Sequence, residues 1–109
     1  MKKYVIVSLR HKDMFFGGNA HLFWGSDRQG YTAVLQTAGL YTEEEAAKIA
    51  NEDDVPINID TLGFKEEFFT PTKSGFKELP QLVLINIENK GIDELIKASR
   101  AWFRQRNAG

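Results

Sequence analysis

Residues 22–47 read LFWGSDRQGYTAVLQTAGLYTEEEAA, and this stretch decides how the first half of the chain folds. The aromatic pair Phe23–Trp24 closes an apolar run from Ala20 that reads as a strand. Ser26-Asp27-Arg28-Gln29-Gly30 then carries turn chemistry, because glycine and short polar side chains tolerate tight backbone geometry. Tyr31 to Leu35 reads as the next strand. Gly39 breaks that pattern, and Thr42-Glu43-Glu44-Glu45 follows at once. A Thr N-cap with Glu at the third helical position is a capping box, and three carboxylates sit where the positive end of a helix dipole favours them. The spacing predicts a helix over residues 42–51.

Working towards the N-terminus, Tyr4 to Leu9 is rich in β-branched residues and reads as a first strand, partly buried on both faces. His11 to Asn19 is a polar connection holding Phe15, Phe16 and the Gly17-Gly18 pair, so a turn or hairpin loop is expected there. Together these strands make a meander. On the C-terminal side, Asn51-Glu52-Asp53-Asp54 reads as a solvated helix end, and Val55 to Asp60 alternates apolar with polar residues. Pro56 in that run argues for an edge position or a strand start, since proline cannot donate to a ladder.

Leu62 to Pro80 is the least regular part, with Phe64, Phe68, Phe69 and Phe76 among Gly63, Pro71, Gly75 and Pro80. A loop with four Phe side chains gains by leaving water, so it should pack across the sheet or form an interface. Leu82 to Ile87 reads as a strongly buried strand. A last helix is predicted over residues 92–106, with Ile92, Leu95, Ile96, Ser99, Trp102 and Phe103 on one face at helical spacing. The expectation is an α+β fold in one domain over residues 1–109: a small antiparallel sheet of four to five strands with two helices packed on it.

Composition narrows function mainly by exclusion. The chain has 109 residues, enough for a core without a metal or disulfide staple. It contains no Cys, which removes thiolate chemistry and Cys-based zinc sites. Fourteen basic and 15 acidic side chains leave a formal charge of −1, so there is no global attraction to nucleic acid, nor the dense acidic face of a DNA mimic. The start, MKKYVIVSLR, lacks the longer apolar region and small-residue cleavage site of a signal peptide. No apolar run approaches the roughly 20 residues of a membrane span. A cytoplasmic protein without membrane contact is expected.

Catalytic templates are missing from the sequence. There is no G-x-S-x-G elbow, no G-x-x-x-x-G-K-[ST] phosphate loop, no H-E-x-x-H and no dinucleotide fingerprint. His11 and His21 are the only imidazoles; with Asp13 or Asp27 they could make a metal site or a general-base pair, but no ligand spacing supports one. No catalytic residue, no metal ligand and no cofactor is assigned.

Phe23-Trp24, Gly30-Tyr31-Thr32, Ala38-Gly39-Leu40-Tyr41 and Thr42 to Ala46 together resemble a pattern found in small uncharacterised proteins of phages and prophages. There an aromatic strand with Trp precedes a Gly-Tyr-Thr turn, then an Ala-Gly-x-Tyr step into a short acid-capped helix. The likeness covers about residues 4–59 and implies a mobile-element origin with an accessory role, such as acting on a host or competing-phage protein. It implies no mechanism.

Three candidate surfaces follow. The first is the Phe64, Phe68, Phe69 and Phe76 segment, a candidate interaction surface. The second is a shallow aromatic pocket of Trp24, Tyr31 and Tyr41 beside a helix N-terminus, a place for an anion or a base. Glu43, Glu44 and Glu45 would repel a phosphate there, and stapling of strand to helix is the commoner use of such aromatics. The third is the set Lys97, Arg100, Arg104 and Arg106 on the last helix, which could contact phosphates or form a solvated outer face. The leading expectation is a non-catalytic interaction protein of phage or prophage type, with a protein partner and homodimerisation left open. A nucleotide- or nucleic-acid-binding module is the alternative, and a small metal-dependent hydrolase the second alternative.

Overall fold

The computed structural model describes residues 1–14, 16–70 and 81–109. Strands β1 (Tyr4–Ser8), β2 (Leu22–Trp24) and β3 (Tyr31–Thr32) form the antiparallel meander. The chain then makes a single 3-10 turn at Leu35–Thr37 and enters helix α1 (Glu43–Ile49). Strand β4 (Asp54–Asn58) returns along the other side of β1, giving the order β3-β2-β1-β4 with β1 and β4 antiparallel. Helix α2 (Ile59–Leu62) follows directly, and helix α3 (Lys90–Ala108) closes the fold. This is the α+β class that the sequence predicts.

The β-branched run of β1 explains its central place. Val5 and Val7 face one core with Phe23, Leu35, Val55, Ile57, Phe69, Ile92 and Ile96. Ile6 faces the other with Tyr41, Ala46, Ala47, Ile49 and Phe103. α1 covers β1 and β4 on the second face, and its N-terminus is closed by the capping box: Thr42 Oγ1 accepts from the Glu45 amide at 3.1 Å, and Glu45 Oε1 from the Thr42 amide at 2.8 Å. These bonds hold the Glu45 carboxyl below its ordinary value.

α3 begins on the first face with Ile92 and Ile96 and ends on the second with Phe103. It therefore runs along β4 and shields that edge, where Pro56 sits opposite Ile6. β3 is the other edge of the sheet.

Several expectations need correction. Leu82–Ile87 is not a buried strand: it follows an irregular path, and Leu84 and Ile87 are 38% and 40% exposed. Its pairing is partly taken by a side chain. Gln36 is buried and accepts from the Val83 amide at 2.9 Å while donating to the Gln81 carbonyl. Leu35 donates to the Val83 carbonyl, His21 to that of Ile85, and Ile87 to that of Asn19, each at 2.8 or 2.9 Å, with one isolated bridge at Ala20–Asn86. Tyr31 to Leu35 is a strand only as far as Thr32. There Oγ1 accepts from the Val34 amide at 3.1 Å and bonds Thr37 Oγ1 at 2.7 Å, turning the chain into the 3-10 turn. The strand expected over Val55–Asp60 ends at Asn58, whose side chain caps α2 by accepting from the Asp60 amide at 2.9 Å. Trp102 leaves the buried face of α3 and is exposed, its ring edge-on to Phe103.

Candidate functional site

β2 and β3 are joined by a tight turn at Ser26–Gln29. Gln29 donates to the Ser26 carbonyl at 3.0 Å, and both central residues, Asp27 and Arg28, have positive φ, 56° and 60°. This is the geometry of the hairpin turns that match strand twist, usually filled by Asn-Gly. Asp tolerates it, whereas an Arg in the left-handed region costs roughly 1–2 kcal/mol. The Arg28 guanidinium lies over the Trp24 ring, 5.3 Å from its centre, which returns only about 0.5–1 kcal/mol at an exposed site. The strain is therefore only partly offset by that contact.

What holds the tip in place is Tyr41. Its ring is buried and its hydroxyl donates to the Gly25 carbonyl and accepts from the Arg28 amide at 2.9 Å. Burial pushes its phenol upward from the ordinary value. Gly39 passes so close that an added Cβ would lie 2.7 Å from the Gly25 backbone, which explains the Ala-Gly step before Tyr41.

Trp24 is fixed from below. Its indole N–H donates to Asp54 Oδ1 at 3.1 Å, spanning from β2 to β4 across β1. Asp54 is 3% exposed, accepts from Asn51 Nδ2 at 3.1 Å, and pairs with Arg10 at 3.3 Å. Asn51, Glu52 and Asp53 are exposed as a solvated helix end should be, but the last carboxylate of the run, Asp54, is the centre of a buried polar network. On the outer side Tyr31 packs tilted against Trp24, with ring centres 4.6 Å apart, and His11 against Tyr31 at 5.2 Å. The rings of this ladder lean on one another.

The connection between β1 and β2 is gathered by Asp13. Its buried carboxylate accepts from the Phe16 amide and, at 3.2 Å, from the Ala20 amide, while Gly17 and Gly18 take positive φ. Between this loop and β3 lies an open cleft of about 560 Å³, walled by His11, Met14, Phe16, Leu22, Tyr31 and Ala33, with Lys12 at its border. Met14 is 90% exposed and Tyr31 38%.

The candidate residues fall as follows. Trp24 and Tyr31 come together, and Tyr31 of the two lines the cleft, but Tyr41 is a buried strut, so the three-ring pocket does not form. Phe64, Phe68 and Phe69 do cluster, with ring centres 4.2 Å apart for the first pair and 5.2 Å for the second. That cluster sits on the main core, with Phe69 buried and the other two half-buried, while Phe76 lies outside the described residues. Phe64 also borders a groove of about 530 Å³ with Ile85 and Leu95.

The α3 cations are largely engaged. Arg100 and Arg104 both pair with Glu52, the former at 3.6 Å, and Arg106 pairs with Glu43 at 3.1 Å; Lys97 is exposed. His21 is buried on the face of Phe23, away from His11, with an Nε2 that has no hydrogen-bond partner among the described residues. Burial lowers its pKa, partly opposed by the Asp93 carboxylate. Among the described residues no group of three or more His, Cys, Asp or Glu side chains could hold a metal ion. No helix among them is long and apolar enough to cross a membrane.

Compared with known protein families, curated proteins and solved structures, the chain gives no match. The cleft was missed in the sequence because its walls come from a polar loop and two short strands. The available signals were Met14 and Phe16, apolar side chains set in an otherwise polar connection.

Proposed function

We propose that this chain is a non-catalytic interaction protein and that its working surface is the cleft beside β3. The carrying observation is the open, mainly apolar wall of Met14, Phe16, Leu22 and Tyr31 next to β3, an edge strand of the sheet. A side chain as exposed as Met14, facing an apolar recess, favours a partner that removes both from water. Protein partners fit this chemistry better than bases do, because Tyr31 and Trp24 already have rings or a guanidinium against them. The likeness of residues 4–59 to small phage and prophage proteins supports a host or competing macromolecule as the target. The earlier alternative of phosphate contacts on α3 loses support from its ion pairs with Glu52 and Glu43.

The test is site-directed photocrosslinking in bacterial lysate, with the reactive group at Met14, at Tyr31, or at Phe68 as a comparison position. One protein adduct recurring at Met14 and Tyr31 but not at Phe68 is the expected result. Recurrent adducts at Phe68 alone would move the surface to the Phe cluster, and none at any position would remove the reading.

A further inference from the structure

The cleft lies beside a sheet edge with hydrogen-bonding groups to offer. Gly25 donates to the Gly30 carbonyl at 2.8 Å, so Gly25 and Gly30 form a hydrogen-bonded pair of the β2–β3 ladder. Antiparallel pairs alternate, so Trp24–Tyr31 is a non-bonded pair and Phe23–Thr32 a bonded one. Tyr31 therefore turns its amide N–H and carbonyl away from β2, towards the open side where Tyr31, Thr32 and Ala33 line the cleft. The opposite edge, β4, is shielded by α3, and β3 has no such cover from that helix.

Charge selects among possible occupants. Among the described residues, the exposed cations of the loop and turn that frame this edge are Arg10, Lys12 and Arg28, against Asp27, while Glu66 and Glu67 share a separate recess with Asp27 and Leu40. Arg10 is held by Asp54, which leaves Lys12 and Arg28 to act outward. This excess is local, since the chain as a whole is slightly acidic. Arg28 is also the residue kept at a strained turn position that Gly would fill without strain. A side chain retained against backbone preference at a binding edge points to a use for that side chain.

Resting on the interaction reading above, we infer that the cleft receives an extended acidic segment of a partner protein, added as a strand along the β3 edge at Tyr31. The segment exchanges backbone hydrogen bonds with Tyr31, sets an apolar side chain against Met14 and Leu22, and offers carboxylates to Lys12 and Arg28. Strand addition of this kind takes affinity from main-chain bonds and specificity from alternate side chains.

The experiment selects displayed short random peptides against the intact chain and maps the winners by amide and methyl NMR, with a single-stranded thymidine oligonucleotide as a second probe. The expected winners are rich in Asp and Glu, apolar at alternate positions, and shift Met14, Tyr31 and Ala33. Arg28→Gly should weaken them about tenfold, the scale of one charge-assisted contact, while leaving the melting temperature unchanged or higher. Neutral or basic winners that still shift Met14 and Tyr31 overturn the acidic-strand inference and leave the interaction reading standing. Oligonucleotide binding at the cleft in place of peptides, or peptides that bind only elsewhere, overturns both. An Arg28→Gly protein that melts lower, or binds equally well, removes the role given to Arg28.

Discussion

Asp54→Ala removes the acceptor that fixes Trp24, the ring against which Tyr31 of the cleft wall leans. In the wild type that carboxylate takes the Trp24 indole N–H, the Asn51 amide and the Arg10 guanidinium while being 3% exposed. Arg10 is half-exposed, so its share is at most about 1 kcal/mol. The indole and the Asn51 amide are the larger losses, since each is left without its acceptor in a partly buried place. Together the expected cost is about 3–5 kcal/mol, a large part of a typical stability of roughly 5–15 kcal/mol. Asp54→Asn keeps the shape and one acceptor and should cost about 1–2 kcal/mol. Urea unfolding followed by Trp fluorescence reads both, as a fall in midpoint with unchanged slope. In a double-mutant cycle, Trp24→Phe should couple to Asp54→Ala by about 1–2 kcal/mol. A loss below about 1 kcal/mol for Asp54→Ala, the scale of an exposed ion pair, would refute the hub and leave Trp24 held by packing alone.

Three further outcomes follow from the same geometry. His21 has a lowered pKa in the fold, so the unfolded chain binds more protons below its ordinary value of 6.5. Stability should be full above that pH and fall as pH drops below it, and His21→Asn should flatten the curve of urea midpoint against pH. Gly39→Ala places a Cβ 2.7 Å from the Gly25 backbone, which cannot move without opening the hairpin. A loss of about 1–3 kcal/mol is expected by calorimetry, and an unchanged melting temperature would show that the contact is slack. Phe69→Ala should cost about 3–5 kcal/mol and Phe68→Ala clearly less, because only Phe69 is buried; equal small losses in denaturant would place the cluster outside the core.

Local chemistry was legible where one short segment decides the outcome. Thr42 and Glu45 specify the start of α1 on their own, and the Val-Ile run of β1 specifies a strand buried on both faces. Pro56 marks an edge because its missing N–H is a property of one residue. What escaped the sequence depends on distant partners. Leu82–Ile87 has the composition of a strand, but the Gln36 side chain occupies part of the place where a strand would pair. Asp54 follows two exposed acids and differs from them only because Trp24 reaches across β1 to it. Arg100 and Arg104 read as free cations until α3 is laid beside Glu52.

The cleft combines these difficulties. Met14 and Phe16 lie in a loop whose shape is set by the Asp13 carboxylate, and Tyr31 is placed by a turn that Tyr41 braces from outside the hairpin. Glycines at 17, 18 and 30 were visible, but the register that turns the Tyr31 amide outward was not.

Amide hydrogen exchange, on the chain alone and on its complex with the protein crosslinked through Met14, reads which surface the partner covers. New protection is expected at residues 11–14 and 31–33, with residues 64–69 and the cationic face of α3 unchanged. Protection confined to residues 64–69 or to α3, with Tyr31 exchanging as in the free chain, would contradict a working surface at the cleft.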